Sequence, residues 1–170
     1  WRSMAPEKRA SIMLEAARLI RQRADRIATV TTLEQGKPFA ESKAEAIRAA
    51  SIVEWDANEG LRAYGRIIPG PEGERRMVLR EPVGPVAAFS PWNFPSSSPA
   101  RKIGGSLAAG CSCILKASEE VPGAAVALVE CFHDAGLPAG VLNLVFGDAD
   151  RISSHLMASP IIRKFTFTGS

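Results

Sequence analysis

From Val83 onward, short apolar runs alternate with helical stretches, and this alternation limits the chain to very few folds. Val86 to Phe89, Ser112 to Lys116, Val141 to Phe146 and Arg163 to Thr168 read as strands. Between them Ser96 to Ala109, Gly123 to Ala135 and Arg151 to Ala158 carry helical spacing, the middle one closed by Gly136 and Pro138. Crossovers of this length force neighbouring strands to run parallel. Right-handed crossovers then set helices on both faces of a doubly wound α/β sheet. Ligands of such sheets bind beyond the carboxyl ends of the strands. The informative residues are therefore Ser90 to Pro95, Lys116 to Glu119, Gly147 to Asp150, and Gly169 with Ser170.

The preceding third is different. Ile12, Met13, Ala16, Leu19, Ile20, Ile27 and Val30 recur at three- and four-residue spacings, predicting a helical stretch from Pro6 to Gln35 that Gly36 stops. Pro38 fits the first turn of a second helix, whose stripe of Phe39, Ile47, Ala50, Val53 and Ala57 runs to about Asn58. Between Gly65 and Glu81 the runs Arg66 to Ile68 and Met77 to Arg80 flank Pro69, Gly70, Pro71 and Gly73, the pattern of a hairpin. Arginines at 66, 75, 76 and 80 would keep such an edge soluble or meet a partner chain. The expected division is a helical layer over residues 1–64, a hairpin over 65–82, and a parallel sheet over 83–170.

Composition removes several classes of function. With 46% hydrophobic and 23% charged residues, the chain has the balance of a folded globular protein. Its net charge of +3 is spread from Arg2 to Lys164 and only 6% of residues are aromatic, so a nucleic-acid surface is not expected. No segment approaches the roughly 18 to 20 apolar residues of a membrane span. Cys111, Cys113 and Cys131 form no paired framework, which points to a reducing, cytoplasmic setting. A chain that opens on Trp1 without an initiator Met, and stops at Ser170 where a helix should begin, reads as part of a longer protein. A complete chain ending on an edge strand is the alternative.

The dinucleotide fingerprint G-x-G-x-x-G is absent after the first strand of the sheet, where Ser90, Pro91, Trp92, Asn93, Phe94 and Pro95 stand instead. The run PWNFP resembles the signature of the aldehyde dehydrogenase superfamily. It is joined, in order, by LEQGKP at 33–38, YGRIIPG at 64–70, EPVGPV at 81–86, LAAGC at 107–111 and FTGS at 167–170, so the resemblance covers almost the whole chain. Among the branches, these runs are most similar to succinate-semialdehyde and related semialdehyde dehydrogenases.

The resemblance implies a reaction in which a cysteine attacks an aldehyde, hydride passes to NAD or NADP, and a glutamate base assists thioester hydrolysis. It makes Asn93 the oxyanion donor, a role in which losing one donor costs on the order of 3 kcal/mol; an Asx turn between two prolines is the bland alternative. It assigns Ser90, Pro91, Trp92, Lys116, Ser118, Glu119, Gly147, Gly169 and Ser170 to cofactor binding. Lys116 and Glu119 would meet the adenosine ribose, although Ala117 and Ser118 replace the family's proline and alanine between them. An acid opposite the ribose 2′-hydroxyl would repel a 2′-phosphate, so NAD is expected, with NADP possible. Glu119 and Glu120 would in any case favour the N-terminus of the helix that follows.

Arg101 stands two turns along the helix beginning near Phe94, on the face of Phe94 and Ser97. In the semialdehyde branch an arginine here binds the substrate carboxylate, for which a guanidinium fork suits a planar anion; a solvated Arg101 and Lys102 pair is the other reading. The family's nucleophilic cysteine and glutamate base have no counterpart in this sequence. The three cysteines read as core residues, and with His133 they lack the spacing of a metal site. The expected function is thus the N-terminal part of an NAD(P)-dependent semialdehyde dehydrogenase, homo-oligomeric, without its catalytic domain and inactive alone. A non-catalytic nucleotide-binding or oligomerisation module is the alternative.

Overall fold

The computed structural model describes residues 1–169. Three helices come first: α1 (Pro6–Gln22), α2 (Ala24–Gln35) and α3 (Phe39–Gly60). The single stretch expected from Pro6 to Gln35 is therefore two helices. Arg23, at φ −100° and ψ 12°, leaves helical geometry for one residue. The apolar stripe stays in phase across the break, since Ile20, Ala24 and Ile27 are all buried, which is why periodicity does not reveal it. Gly36, at φ 80°, ends α2 in the left-handed conformation that glycine adopts without a Cβ clash. Pro38 precedes the first turn of α3 rather than lying in it.

β1 (Arg66–Ile68) and β2 (Arg76–Val78) form an antiparallel hairpin with Ile67 opposite Met77, and all six residues are exposed. The alternating segment then gives β3 (Val86–Phe89), α4 (Ser97–Ala108), β4 (Cys113–Lys116), α5 (Pro122–Asp134), β5 (Leu142–Val145), α6 (Ala149–Ala158) and β6 (Lys164–Phe167). β3 to β6 make one parallel sheet in the order β5-β4-β3-β6, with Val86 level with both Cys113 and Lys164.

The order explains the layers. From β3 the chain steps outward to β4 and β5, placing α4 and α5 on one face. It then returns across the sheet to β6, placing α6 over Ile114 and Val145 on the other. α3 packs on α4, while α1 and α2 pack on both α3 and α5, so α1 to α3 form an outer layer over α4 and α5. Met13, Ile20, Ile27, Ile103, Leu107, Leu115, Leu128 and Phe132 are fully buried between these layers. Ala46, Ala49, Ala50, Val53, Ala57 and Ala100 keep the helices close. At the α3–α4 crossing the approach leaves no room for a Cβ, because one placed on Gly60 would lie 2.9 Å from the Ala108 carbonyl oxygen. Trp1 is tied to the same place, its indole Nε1 donating to the Leu107 carbonyl at 2.9 Å.

Two helices of the sheet region begin without a cap of their own. At α5 it is Glu34 that accepts from the Gly123 and Ala124 amides, at 3.0 and 3.4 Å. The expectation that Glu119 serves this helix is corrected: Glu119 turns to Lys116 and to the Gly147 amide. At α4, Glu45 takes the place of a cap, accepting from the Ser96 and Ser97 amides at 2.9 and 3.0 Å. No helix among the described residues is long and apolar enough to cross a membrane.

Candidate active site

All four segments singled out after the strands lie in a row along the carboxyl edge of the sheet, in the order Gly147, Lys116 to Glu119, Ser90 to Pro95, Thr168 to Gly169. β3 is where the chain's direction reverses, β4 having been laid on one side and β6 on the other. The crevice between the loops after β3 and β6 is thus the switch point at which open α/β sheets bind ligands. Backbone bonds hold its walls together: the Thr168 amide donates to the Phe89 carbonyl at 3.1 Å and the Ser90 amide to the Lys116 carbonyl at 3.2 Å.

The loop after β3 combines a rigid backbone with an open side chain. Ser90 is buried, Pro91 half-buried, and Trp92 and Asn93 are exposed. The Trp92 carbonyl accepts from Gln35 Nε2 at 2.7 Å and the Asn93 carbonyl from Lys37 Nζ at 2.8 Å. Asn93 is exposed, and its side-chain amide makes no hydrogen bond to a described residue.

On the other flank, Lys116 is buried with its Nζ 2.5 Å from Glu119 Oε1, and the Gly147 amide donates to the same oxygen at 3.2 Å. Partial burial works to raise the Glu119 pKa, but the bonds from Lys116 and Gly147 outweigh it and hold the carboxyl below its ordinary value. Ser118, also buried, donates its hydroxyl to Glu120. Gly147, at φ 131°, lets the chain turn from β5 into α6. Beside it a cleft of about 770 Å³ runs between α6 and the sheet, lined by Ile114, Val145, Phe146, Ile152 and Leu156. Asp148, Arg151, Ser154 and His155 add polar groups to this lining. Gly169 closes the row, and a Cβ there would strike the Phe167 ring at 2.7 Å; Ser170 lies outside the described residues.

Arg101 is exposed on α4 and makes no hydrogen bond to Asn93 or any other described residue. It borders a cleft of about 420 Å³ between α3 and α4 with Arg48, Ser51, Ile52, Trp55 and Asp56. Ser97, placed with it on one helical face, is instead buried beneath Glu45. The solvated pair expected as the alternative is corrected at Lys102. This lysine is buried, and its Nζ donates to Thr168 Oγ1 at 2.6 Å, tying α4 to the turn after β6. Burial, and then the neighbouring Arg101, lower its pKa. Asp56 is pushed up to about 6 by burial, against the pull of Arg101.

Cys111, Cys113 and Cys131 are buried free thiols, and burial raises Cys113 to about 12, far from a usable thiolate. Four residues beneath the crevice carry no local sequence signal: Gln35, Lys37, Glu45 and Lys102. Their partners lie 51 to 66 residues away, and only the run LEQGKP hinted that the first two matter.

The aldehyde dehydrogenase family, as a sequence model, matches residues 1–170. The 4-(hydroxymethyl)benzenesulfonate dehydrogenase of Comamonas testosteroni is 47% identical over the whole of this chain, which covers 36% of that protein. The succinate-semialdehyde dehydrogenase (NADP+) of Escherichia coli K12 is 45% identical with the same coverage. Among solved structures, an aldehyde dehydrogenase from Brucella melitensis biovar abortus 2308 superimposes with a TM-score of 0.99 at 44% identity, over all of this chain and 35% of that one. The chain thus spans about 36% of the length of the curated relatives it matches.

Proposed function

The chain belongs to the aldehyde dehydrogenase family, and from that premise we propose that it forms the cofactor-binding part of an enzyme that oxidises a semialdehyde carrying an anionic tail to the corresponding acid. The observation that supports this reading most directly is the exposed Asn93 amide at the switch point, on a loop whose carbonyls are fixed by Gln35 and Lys37. Bound NAD(P) supplies the hydride acceptor. Glu119 and Lys116 offer a carboxylate and an ammonium to the ribose hydroxyls, and Glu119 favours NAD because it would repel a 2′-phosphate. Ser90, Pro91, Trp92, Ser118, Gly147 and Gly169 are assigned to the remaining wall of that site; Ser170, assigned with them from the sequence, lies outside the described residues.

The chain's own part in the chemistry is to stabilise charge. As the aldehyde carbonyl becomes tetrahedral, its oxygen gains a negative charge, to which the Asn93 amide donates. Arg101 would offer a guanidinium fork suited to a carboxylate, or to a sulfonate such as that in the name of the Comamonas relative. The attacking thiolate and the base for hydrolysis come from sequence beyond these 170 residues. On this reading residues 1–64 are a helical layer, 65–82 an oligomerisation hairpin, and 83–170 part of the cofactor domain of a cytoplasmic homo-oligomer.

The test is NAD-linked oxidation of succinic semialdehyde and of butanal by the full-length protein. Losing a charged partner of the bound carboxylate typically costs about 2 to 5 kcal/mol. Arg101→Ala is expected to lower kcat/KM for succinic semialdehyde by that amount and for butanal far less, while Asn93→Ala lowers both alike. An unchanged ratio between the two substrates in Arg101→Ala would remove the semialdehyde assignment. The 170-residue chain alone is expected to oxidise neither.

A further inference from the structure

The turn between α2 and α3 gathers polar contacts that the chemistry above does not use, anchored on a Lys37–Glu45 pair that is largely buried. The left-handed Gly36 sends Gln35 and Lys37 toward the loop after β3, where they bind the carbonyls of Trp92 and Asn93 in succession. Lys37 Nζ also lies 2.5 Å from Glu45 Oε2 and 4.5 Å from the centroid of the Phe94 ring. The other oxygen of Glu45 accepts the Ser96 and Ser97 amides. With side chains 14% and 5% exposed, Lys37 and Glu45 are not a loose surface pair. Exposed ion pairs hold geometry poorly, whereas a buried pair whose remaining donors and acceptors are all occupied has one arrangement. Every residue from Trp92 to Ser97 except Pro95 is thereby gripped through its backbone or ring, while the Asn93 side chain makes no hydrogen bond to a described residue.

We propose that Lys37, locked in place by Glu45, is a positioning residue that aims the Asn93 amide at the reacting oxygen. This rests on the reading of Asn93 as oxyanion donor. Lys37 on the Asn93 carbonyl fixes the peptide plane after the Asn93 Cα, and Gln35 on the Trp92 carbonyl fixes the plane before it; together they set the direction in which the side chain leaves the loop. Glu45 does this twice over: it neutralises the ammonium and anchors the first turn of α4, into which the loop runs. A displacement of about 1 Å at a catalytic group is enough to cost on the order of a hundredfold in rate.

The experiment is a double-mutant cycle in the full-length enzyme. Lys37→Met is expected to lower kcat for succinic semialdehyde roughly tenfold to a hundredfold, with KM for NAD little changed. In an Asn93→Ala background the same substitution should cost no more than about threefold, because its effect passes through that amide. Equal losses in both backgrounds would overturn the proposal. Glu45→Gln, which keeps an acceptor for the α4 amides but removes the charge facing Lys37, should show the same dependence on Asn93; it carries the test if Lys37→Met does not fold. Hydrogen exchange at the Ser96 and Ser97 amides separates this proposal from the function it rests on. If the wild-type enzyme oxidises no aldehyde, the functional reading fails. Faster exchange in Glu45→Ala would still support the brace, and unchanged exchange would overturn it.

Discussion

The crossing of α3 and α4 allows two glycine-to-alanine substitutions to be predicted with opposite signs. Both Gly60 and Gly105 belong to helices, where replacing glycine by alanine gains up to about 1 kcal/mol from the lower entropy of the unfolded chain. At Gly105 nothing lies within 4 Å of the new Cβ, so the gain is realised. At Gly60 the Cβ would sit 2.9 Å from the Ala108 carbonyl oxygen and 3.1 Å from its Cβ. Ala108 belongs to α4, so relief requires moving helix against helix, and overpacking of this kind costs about 1 to 3 kcal/mol. The net expectation is that Gly105→Ala stabilises and Gly60→Ala destabilises, with about 2 kcal/mol between them. For a chain of this size that separates their melting temperatures by about 4 to 8 °C. Thermal melts of the two variants, followed by far-ultraviolet circular dichroism and checked by urea titration, measure the difference. If Gly60→Ala melts with or above Gly105→Ala, the close approach of the two helices is not as described.

Asp56 should make stability fall as pH rises. Its folded-state pKa is raised from 3.8 to about 6, so the folded protein binds this proton more tightly; the contribution is complete below about 4 and is lost as pH climbs through about 6. Asp56→Asn should abolish that slope and at pH 8 be more stable than wild type by about 1 kcal/mol, after discounting the shift for partial exposure; identical pH profiles would refute the assignment. The hairpin and the outer edge of β6 should drive self-association, because Ile67, Met77 and Leu79 are exposed beside unpaired strand edges. Light scattering should show mass rising with concentration, and Ile67→Lys with Met77→Glu should reduce it; a monomer at every concentration would count against it.

The parallel sheet is legible in the sequence because each strand is a short apolar run bounded by glycine, proline or polar residues. Each then falls within two residues of its expected place. The break at Arg23 is hidden because one non-helical residue leaves Ile20, Ala24 and Ile27 on one buried stripe. Asn93, Lys116 and Glu119 are legible as loop residues at strand ends, positions that topology alone marks. The brace beneath them is not. Glu45 looks like any acid on an exposed helix face, and only the tertiary fold brings its carboxylate under Ser96, 51 residues on. Lys102 is misleading for the same reason: beside Arg101 it reads as half of a solvated pair, yet it reaches Thr168, 66 residues away.

The strand order also sets a timetable for synthesis. β3 finds β4 soon after both leave the ribosome, since Cys113 follows Val86 by only 27 residues. Its other edge must wait for β6, whose Lys164 follows Val86 by 78 residues. At about 5 to 20 residues per second, the nascent chain spends roughly 4 to 16 s with an apolar central strand open along one side. Throughout that interval Val86, Ala87 and Ala88 are a template for any passing strand. The helical layer made first, α1 to α3, packs on α4 and α5 rather than on this edge, so the vulnerable window closes only when Lys164 to Phe167 arrive.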